Sequence, residues 1–185
     1  MLNIVEKVVV YARSILVSVC IKVRYGKRVD IRLWNSIRGK LSLWIDSNSK
    51  ISCGNFLMCL GPNYFKAVHG GRIVIGDKCF FNRNCSITSV GNISIGEHCT
   101  IANNVVIVDH DHNIALDKKD RMYTVEDVHI GNHVWVGANV VILKGVTIGD
   151  NAVIAAGAVV SDNVEAECIY GGVPARKIKR LQIRK

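Results

Sequence analysis

The 185-residue sequence predicts an all-β solenoid, and three observations carry that prediction. Ile130, Val136, Ile142, Ile148, Ile154 and Val160 recur at every sixth position, and four residues after each stands Val134, Val140, Val146, Ala152, Ala158 or Val164. An unbroken repeat this short is a solenoid signature, and its apolar positions do not follow the 3.6-residue period of an amphipathic helix. The composition agrees: hydrophobic residues make up 49% and aromatics only 6%, so the core is built from Val and Ile, which suits thin, closely stacked strands. Three sixes make a coil of 18 residues, placing Ile130 beneath Ile148 and Val136 beneath Ile154.

At this length the chain reads as one domain with enough material for a sizeable core. Residues 1–40 read as a basic, partly helical segment. Lys7, Tyr11, Ser14, Ser18 and Lys22 form a narrow polar stripe at helical spacing, and the rest of that surface is Val, Ile and Leu. Such a helix is either packed against the body of the protein or a subunit, or laid in a membrane interface, and the basic residues up to position 28 suit either. The longest uncharged run, Ser14 to Ile21, is too short to span a bilayer. No small-residue cleavage site follows a clean apolar stretch, which argues against a secretory signal.

The solenoid is expected over residues 41–170. Its first part is faint, with Ile45, Ile51 and Leu57 sharing the leading position. An inserted loop is expected at 63–72, after which Ile75, Phe81 and Ile87, then Ile95, Ile101 and Ile107, resume the phase. A second insertion at 109–128 is polar and charged, and insertions in a solenoid emerge as loops on one face where function collects. Residues 171–185 read as a cap and basic tail, with Ala175–Ile183 as a short C-terminal helix. Both ends of a strand stack need such covers.

Charge is segregated. Residues 1–40 carry nine Lys or Arg against Glu6 and Asp30, and six basic residues follow Ala175. Basic ends on an acidic middle suit a phosphate-bearing ligand or an anionic membrane. Nucleic acid is not expected, because no binding motif or interleaved aromatic platform accompanies the charge. The seven cysteines are odd in number and include no CxxC pair. Cys79, Cys85 and Cys99 fall where the repeat wants a small hydrophobe, which fits a reduced, cytoplasmic setting, with contact at the inner membrane surface as the further expectation.

Ile-Gly-Asn-His-Val-Trp-Val-Gly at 130–137, Gly-Val-Thr-Ile-Gly-Asp at 145–150 and Gly-Gly-Val-Pro-Ala-Arg at 171–176 resemble the hexapeptide-repeat acyltransferases. Within that family the chain is most similar to the galactoside and maltose O-acetyltransferases and their polysaccharide-modifying relatives, over about residues 73–180. The resemblance implies a left-handed parallel β-helix, a homotrimer with sites between subunits, and acetyl-CoA as donor with no metal required. It also implies acetyl transfer to a carbohydrate hydroxyl, on a small molecule or a lipid-linked acceptor such as a surface-polysaccharide precursor.

Asp109-His110-Asp111-His112 opens the second insertion. Acetyl transfer from a thioester needs a base for the acceptor hydroxyl, and a histidine can serve as base and then acid near neutral pH. Aligned without gaps, His112 falls on the family's catalytic histidine. His110 becomes an acceptor or supporting contact, Asp109 is also assigned to the acceptor side, and Asp109 or Asp111 is a carboxylate able to fix an imidazole tautomer. Asn82 matches an acceptor-contacting asparagine, whose amide can both donate to and accept from a sugar hydroxyl. Val90 stands where the galactoside enzyme has an acidic residue, which leaves the acceptor open.

Trp135, Gly137, Ala138, Ala156 and Ser161 match positions lining the coenzyme A groove. Arg176 and Lys179 match basic positions at the nucleotide end, while Asp162 replaces a lysine. Two alternatives remain from the sequence. One is a zinc hydratase of the γ-carbonic-anhydrase type, since His110 and His112 share a face at strand spacing. The other is a non-catalytic solenoid scaffold.

Overall fold

The computed structural model describes residues 4–113 and 123–182. It is a parallel β-solenoid whose strands form three faces, preceded by one long helix. The first face stacks Val29–Ile31, Lys50–Cys53, Arg72–Ile75, Asn92–Ile95, Val128–Ile130 and Thr147–Ile148. The second runs from Ser36–Ile37 through Phe80–Phe81 and Trp135–Val136 to Cys168–Gly171 and Arg176–Arg180. The third stacks Leu41–Ile45, Asn63–Ala67, Ser86–Ser89, Val106–Val108, Val141–Ile142 and Val159–Val160.

The 18-residue coil holds in the last turns: Ile130 pairs with Ile148, Val136 with Ile154, and Ile142 with Val160. All six of these side chains are buried in one continuous aliphatic core. Cys79, Cys85 and Cys99 are buried as expected, and each thiol donates to a carbonyl of the next coil, those of Gly96, Ala102 and Gly131. Burial pushes the Cys85 thiol up to about 11, which keeps it protonated at neutral pH.

Several expectations are corrected. The solenoid starts at Val29 and not at residue 41, because Val29 and Ile31 point inward around Asp30 and pair with Ile51 and Cys53. The leading positions of the early coils are Cys53 and Cys59, the partners of Ile75 and Phe81, and not Ile51 and Leu57. Leu57 instead fills the small-residue site. The phase shifts because the third-face strands here have four or five residues, where the later ones have two. Residues 63–72 are not an inserted loop. Asn63–Ala67 is a strand with Phe65 and Ala67 inward, and Phe65 meets Phe81 edge-on at 5.3 Å between ring centroids.

Helix α1, Ile4–Tyr25, covers the N-terminal end of the stack. Its buried residues are Ser14 and Ser18, so the middle of the polar stripe faces the protein, while Lys7, Tyr11 and Lys22 at its ends are exposed. The cause lies in what it covers: an end strand presents unpaired backbone groups. Ser14 Oγ accepts from the Ile37 N–H at 2.8 Å, and Arg13 donates to the Arg38 carbonyl at 3.1 Å. Tyr25 donates to the Leu43 carbonyl, and Arg28 to that of Ile45 at 3.1 Å. Val17, Ile21 and Tyr25 pack against the core beside them.

At the other end the expected C-terminal helix is a strand. Arg176–Arg180 pairs antiparallel with Cys168–Gly171 after a tight reversal through Gly172, whose φ of +99° suits glycine. The exposed edge of Cys168–Gly171 offers backbone partners that outweigh a weak helical preference. The register of the two ends thus decides their conformation.

Deleting core volume within the regular block tests the stacking. Ile142→Ala, at a fully buried position between Ile107 and Val160, should cost about 2–5 kcal/mol in urea unfolding with an unchanged m-value.

Candidate active site

The chain leaves the third face after Val108 and returns to the first at Val128. Between them His110–His112 and Tyr123–Val125 form an antiparallel hairpin, pairing His110 with Val125 and His112 with Tyr123. Ile114, Leu116 and Met122, the apolar residues of the expected insertion, lie outside the described residues.

Asp109 anchors this hairpin. It lies at the end of an inward row, after Ile45, Ala67 and Ser89, and is fully buried. Its carboxylate accepts from Ser89 Oγ at 2.6 Å, from the Val90 and Gly91 N–H groups at 2.9 Å, and from His110 Nδ1 at 3.0 Å. A buried charge is tolerable only when paired and hydrogen-bonded in this way. With Nδ1 of His110 donating to it, the other ring nitrogen is the one left to act as acceptor. Gly91 is needed beneath the hairpin, since a Cβ there would meet Val125 Cγ1 at 2.5 Å.

Three histidines gather round one ring. His110 and His112 each lie 5.0 Å from the Tyr123 ring, and His69 lies 5.8 Å from it. His69 sits at the same prism edge, in the left-handed region, where its N–H donates to Asp46 Oδ2 at 2.6 Å. The Ser49 hydroxyl and then that N–H hold the Asp46 carboxyl below the usual carboxylate range. His110 is largely covered, whereas His112 is exposed. Among the described residues no three His, Cys, Asp or Glu side chains converge as metal ligands; the three imidazoles meet the Tyr123 ring instead.

Lys144, from the next coil, pairs with Glu126 and lies 3.8 Å from Asp111. It clips both strands of the hairpin to the solenoid. The Glu126 hydrogen bond, with smaller help from the charge of Asp111, raises the lysine above its ordinary value.

The expected donor residues lie at another edge. Trp135 stands outward on the second face, 54% exposed, with Thr100 and Val153 as strand neighbours. Gly137 and Ala138 turn the corner into the third face, and Ala156 is exposed at the same corner one coil on. A Cβ at Gly137 would meet the Ala156 N at 2.6 Å, so the close stacking there requires glycine. Asn82 belongs to this column too, linked through Ile101, Ala102 and Val136 to Gly137, and its Oδ1 accepts from the Arg83 N–H at 3.0 Å. The third face, on the order of 10–15 Å of strand, separates this edge from the histidines.

Ser161, Arg176 and Lys179 lie at the C-terminal end. Ser161 donates to Asp162 at 3.2 Å, and Arg176 pairs with that carboxylate at 2.8 Å. Lys177 and Arg180 pair with Glu165 and Glu167, whereas Lys179 has no ion pair among the described residues. Sequence reasoning missed the Asp162–Arg176 pair, 14 residues apart, and Lys144, whose partner Glu126 lies 18 residues away. Ser89 could have been noticed as a hydroxyl in an otherwise apolar inward row.

A prism whose coils are built from six-residue repeats, with a histidine hairpin projecting from one edge, defines the hexapeptide-repeat transferase class. Residues 127–162 match the bacterial transferase hexapeptide model (six repeats), and 72–108 match the hexapeptide repeat of succinyl-transferase. The chain is 38% identical over 125 residues to the galactoside O-acetyltransferase of Escherichia coli K12, covering 66% of this chain and 60% of that one. It is 35% identical over 152 residues to the putative lipopolysaccharide biosynthesis O-acetyl transferase WbbJ of the same strain, covering 74% and 75%. A hexapeptide-repeat acetyltransferase of Vibrio cholerae, solved with acetyl coenzyme A, superposes with a TM-score of 0.58 at 32% identity over 68% of this chain and 72% of that one. The chain therefore belongs to the hexapeptide-repeat acetyltransferase family. It spans less than two thirds of the length of the galactoside enzyme.

The clip can be tested directly. Lys144→Met should leave the fold intact and speed hydrogen exchange at residues 110–112 and 123–125. Because a raised pKa stabilises only the protonated lysine, the native protein should keep that protection at neutral pH and lose it as pH rises past the ordinary lysine range.

Proposed function

We propose that the protein transfers an acetyl group from acetyl-CoA to a hydroxyl of a carbohydrate acceptor, free or lipid-linked, at a site shared between copies of a homotrimer. The observation that carries this reading is the division of the site. The histidine hairpin and the small-residue wall occupy different edges of one prism, and a neighbouring copy is what brings one edge against the other. The named acetyltransferase relatives and the acetyl coenzyme A bound to the Vibrio cholerae protein support the reaction class and donor.

In this reading His112 is the base. Its exposed imidazole takes the proton from the acceptor hydroxyl as that oxygen attacks the acetyl carbonyl carbon. Collapse of the tetrahedral intermediate breaks the carbon–sulfur bond, and the same imidazolium returns the proton to the leaving thiolate. His110 acts as a positioning residue: Asp109 holds one of its nitrogens, and its edge contact fixes Tyr123 beside His112. Asp109 thereby locks the hairpin without touching the acceptor.

Trp135, Gly137, Ala138 and Ala156 form the wall along which the pantetheine arm would lie. Small side chains allow close approach, and extended backbone offers it hydrogen bonds. Ser161 would border the outer part of that groove. At the nucleotide end Lys179 makes no ion pair among the described residues and offers its charge to a phosphate, while Arg176 must exchange Asp162 for phosphate, which moderates its contribution. Asn82 offers an amide for a sugar hydroxyl on the acceptor side.

Thiol release from acetyl-CoA, measured over a panel of sugars, tests the reaction. His112→Ala should lower the turnover by about 10²- to 10⁴-fold, and equal activity would reject the base. The shared site has its own test. Ala156→Trp should block the wall, yet coexpression with His112→Ala should restore about one quarter of the wild-type rate, because some interfaces then combine an intact histidine with an intact wall. Mixtures that stay inactive would place the whole site within one chain.

A further inference from the structure

Helix α1 turns Ser14 and Ser18 to the end of the solenoid, and this leaves an apolar stripe in solvent. Val5, Val8, Leu16, Val19 and Val23 all lie on that outer side, with Val23 at 82% exposure. The reverse side carries Ser14, Ser18 and the contacts to the first coil. An apolar helix face turned away from its own protein needs another covering.

We propose that α1 lies in the interface of an anionic phospholipid bilayer, with the stripe at the acyl boundary and the solenoid standing end-on above it. Charge identifies the occupant. Lys22 and Arg24 border the stripe and Lys27 follows it. Residues 1–40 together hold nine basic residues against two acidic ones, and of the basic ones Arg13 and Arg28 are engaged by carbonyls of the first coil. Lipid phosphates match that rim, whereas a second copy of the same helix would bring like charges together. Geometry agrees, because side-by-side packing of prisms leaves their ends uncovered and pointing one way. Three such stripes in a trimer would then meet one plane and bind with higher avidity. The helix lies on the bilayer and does not cross it: among the described residues no helix is long and apolar enough to span. The proposal is independent of the reaction assigned to the hairpin.

Flotation of the full chain with vesicles provides the test. It should partition to phosphatidylcholine vesicles containing 30% phosphatidylglycerol, at least tenfold more strongly than to phosphatidylcholine alone, and less strongly as salt rises. Val8→Glu/Val23→Glu alters only exposed positions and should reduce that partitioning at least tenfold, with unchanged circular dichroism and thermal unfolding. Equal partitioning of variant and native chain overturns the proposal, as does no partitioning of the native chain. A change in the oligomeric state of the variant by sedimentation velocity also overturns it, since the stripe would then be a contact between copies.

Discussion

Parallel stacking leaves unpaired N–H and C=O groups on the outermost strand at each end, and closing those two edges shapes the rest of this molecule. At the C-terminal end the chain supplies its own last strand, Arg176–Arg180, whose basic side chains pair with Asp162, Glu165 and Glu167. At the N-terminal end a helix does the work with side chains: Ser14, Arg13, Tyr25 and Arg28 reach backbone groups on two faces of the first coil. A helix recruited for this purpose must turn polar side chains inward, here Ser14 and Ser18 beside Val17 and Ile21. Its apolar side is then exposed by the same requirement, so the outward stripe follows from how the stack is closed.

This explains where the sequence could be read and where it could not. Coils of 18 residues with an invariant phase, from Ile130 onward, fix their own register because each aliphatic side chain lies on another. Upstream, the third-face strands Leu41–Ile45, Asn63–Ala67 and Ser86–Ser89 lengthen the coils, so counting in sixes misassigned Ile51 and Leu57 and took a strand for a loop. The polar stripe of α1 was visible, but amphipathic reasoning assigns the apolar side to the interior. That rule fails when the covered surface is a sheet edge. The tail around Lys177 and Lys179 was read by its local preference, and the edge partner that overrides it is distant in sequence.

The site divides in the same manner. The Asp-His-Asp-His run marked the hairpin because it breaks the repeat with four polar residues. Its anchoring could not be seen there, since Ser89 and the Val90 and Gly91 amides come from the preceding coil. Tyr123 was visible only as one apolar residue of an insertion. Its place between His69, His110 and His112 depends on hairpin register, which brings together three segments distant in sequence. The small wall residues were matched by resemblance, and the prism then put them on a different edge from the histidines.

That separation makes rigidity matter. A base on a projecting hairpin can serve a donor held by another copy only if its position is fixed to within a fraction of an ångström. The solenoid wall is rigid because every coil is hydrogen-bonded on both sides, whereas a hairpin of three-residue strands has little stability of its own. Its order must be imposed from outside. Asp109 does so at the base of one strand, Lys144 clips Glu126 opposite it and Asp111 one pair further out, and the Gly145 N–H donates to the Glu126 carbonyl at 3.0 Å. These contacts tie the hairpin to coils on both sides of its point of departure. In the proposed reaction they are what lets an insertion, the least regular part of the chain, present His112 to a donor wall belonging to its neighbour.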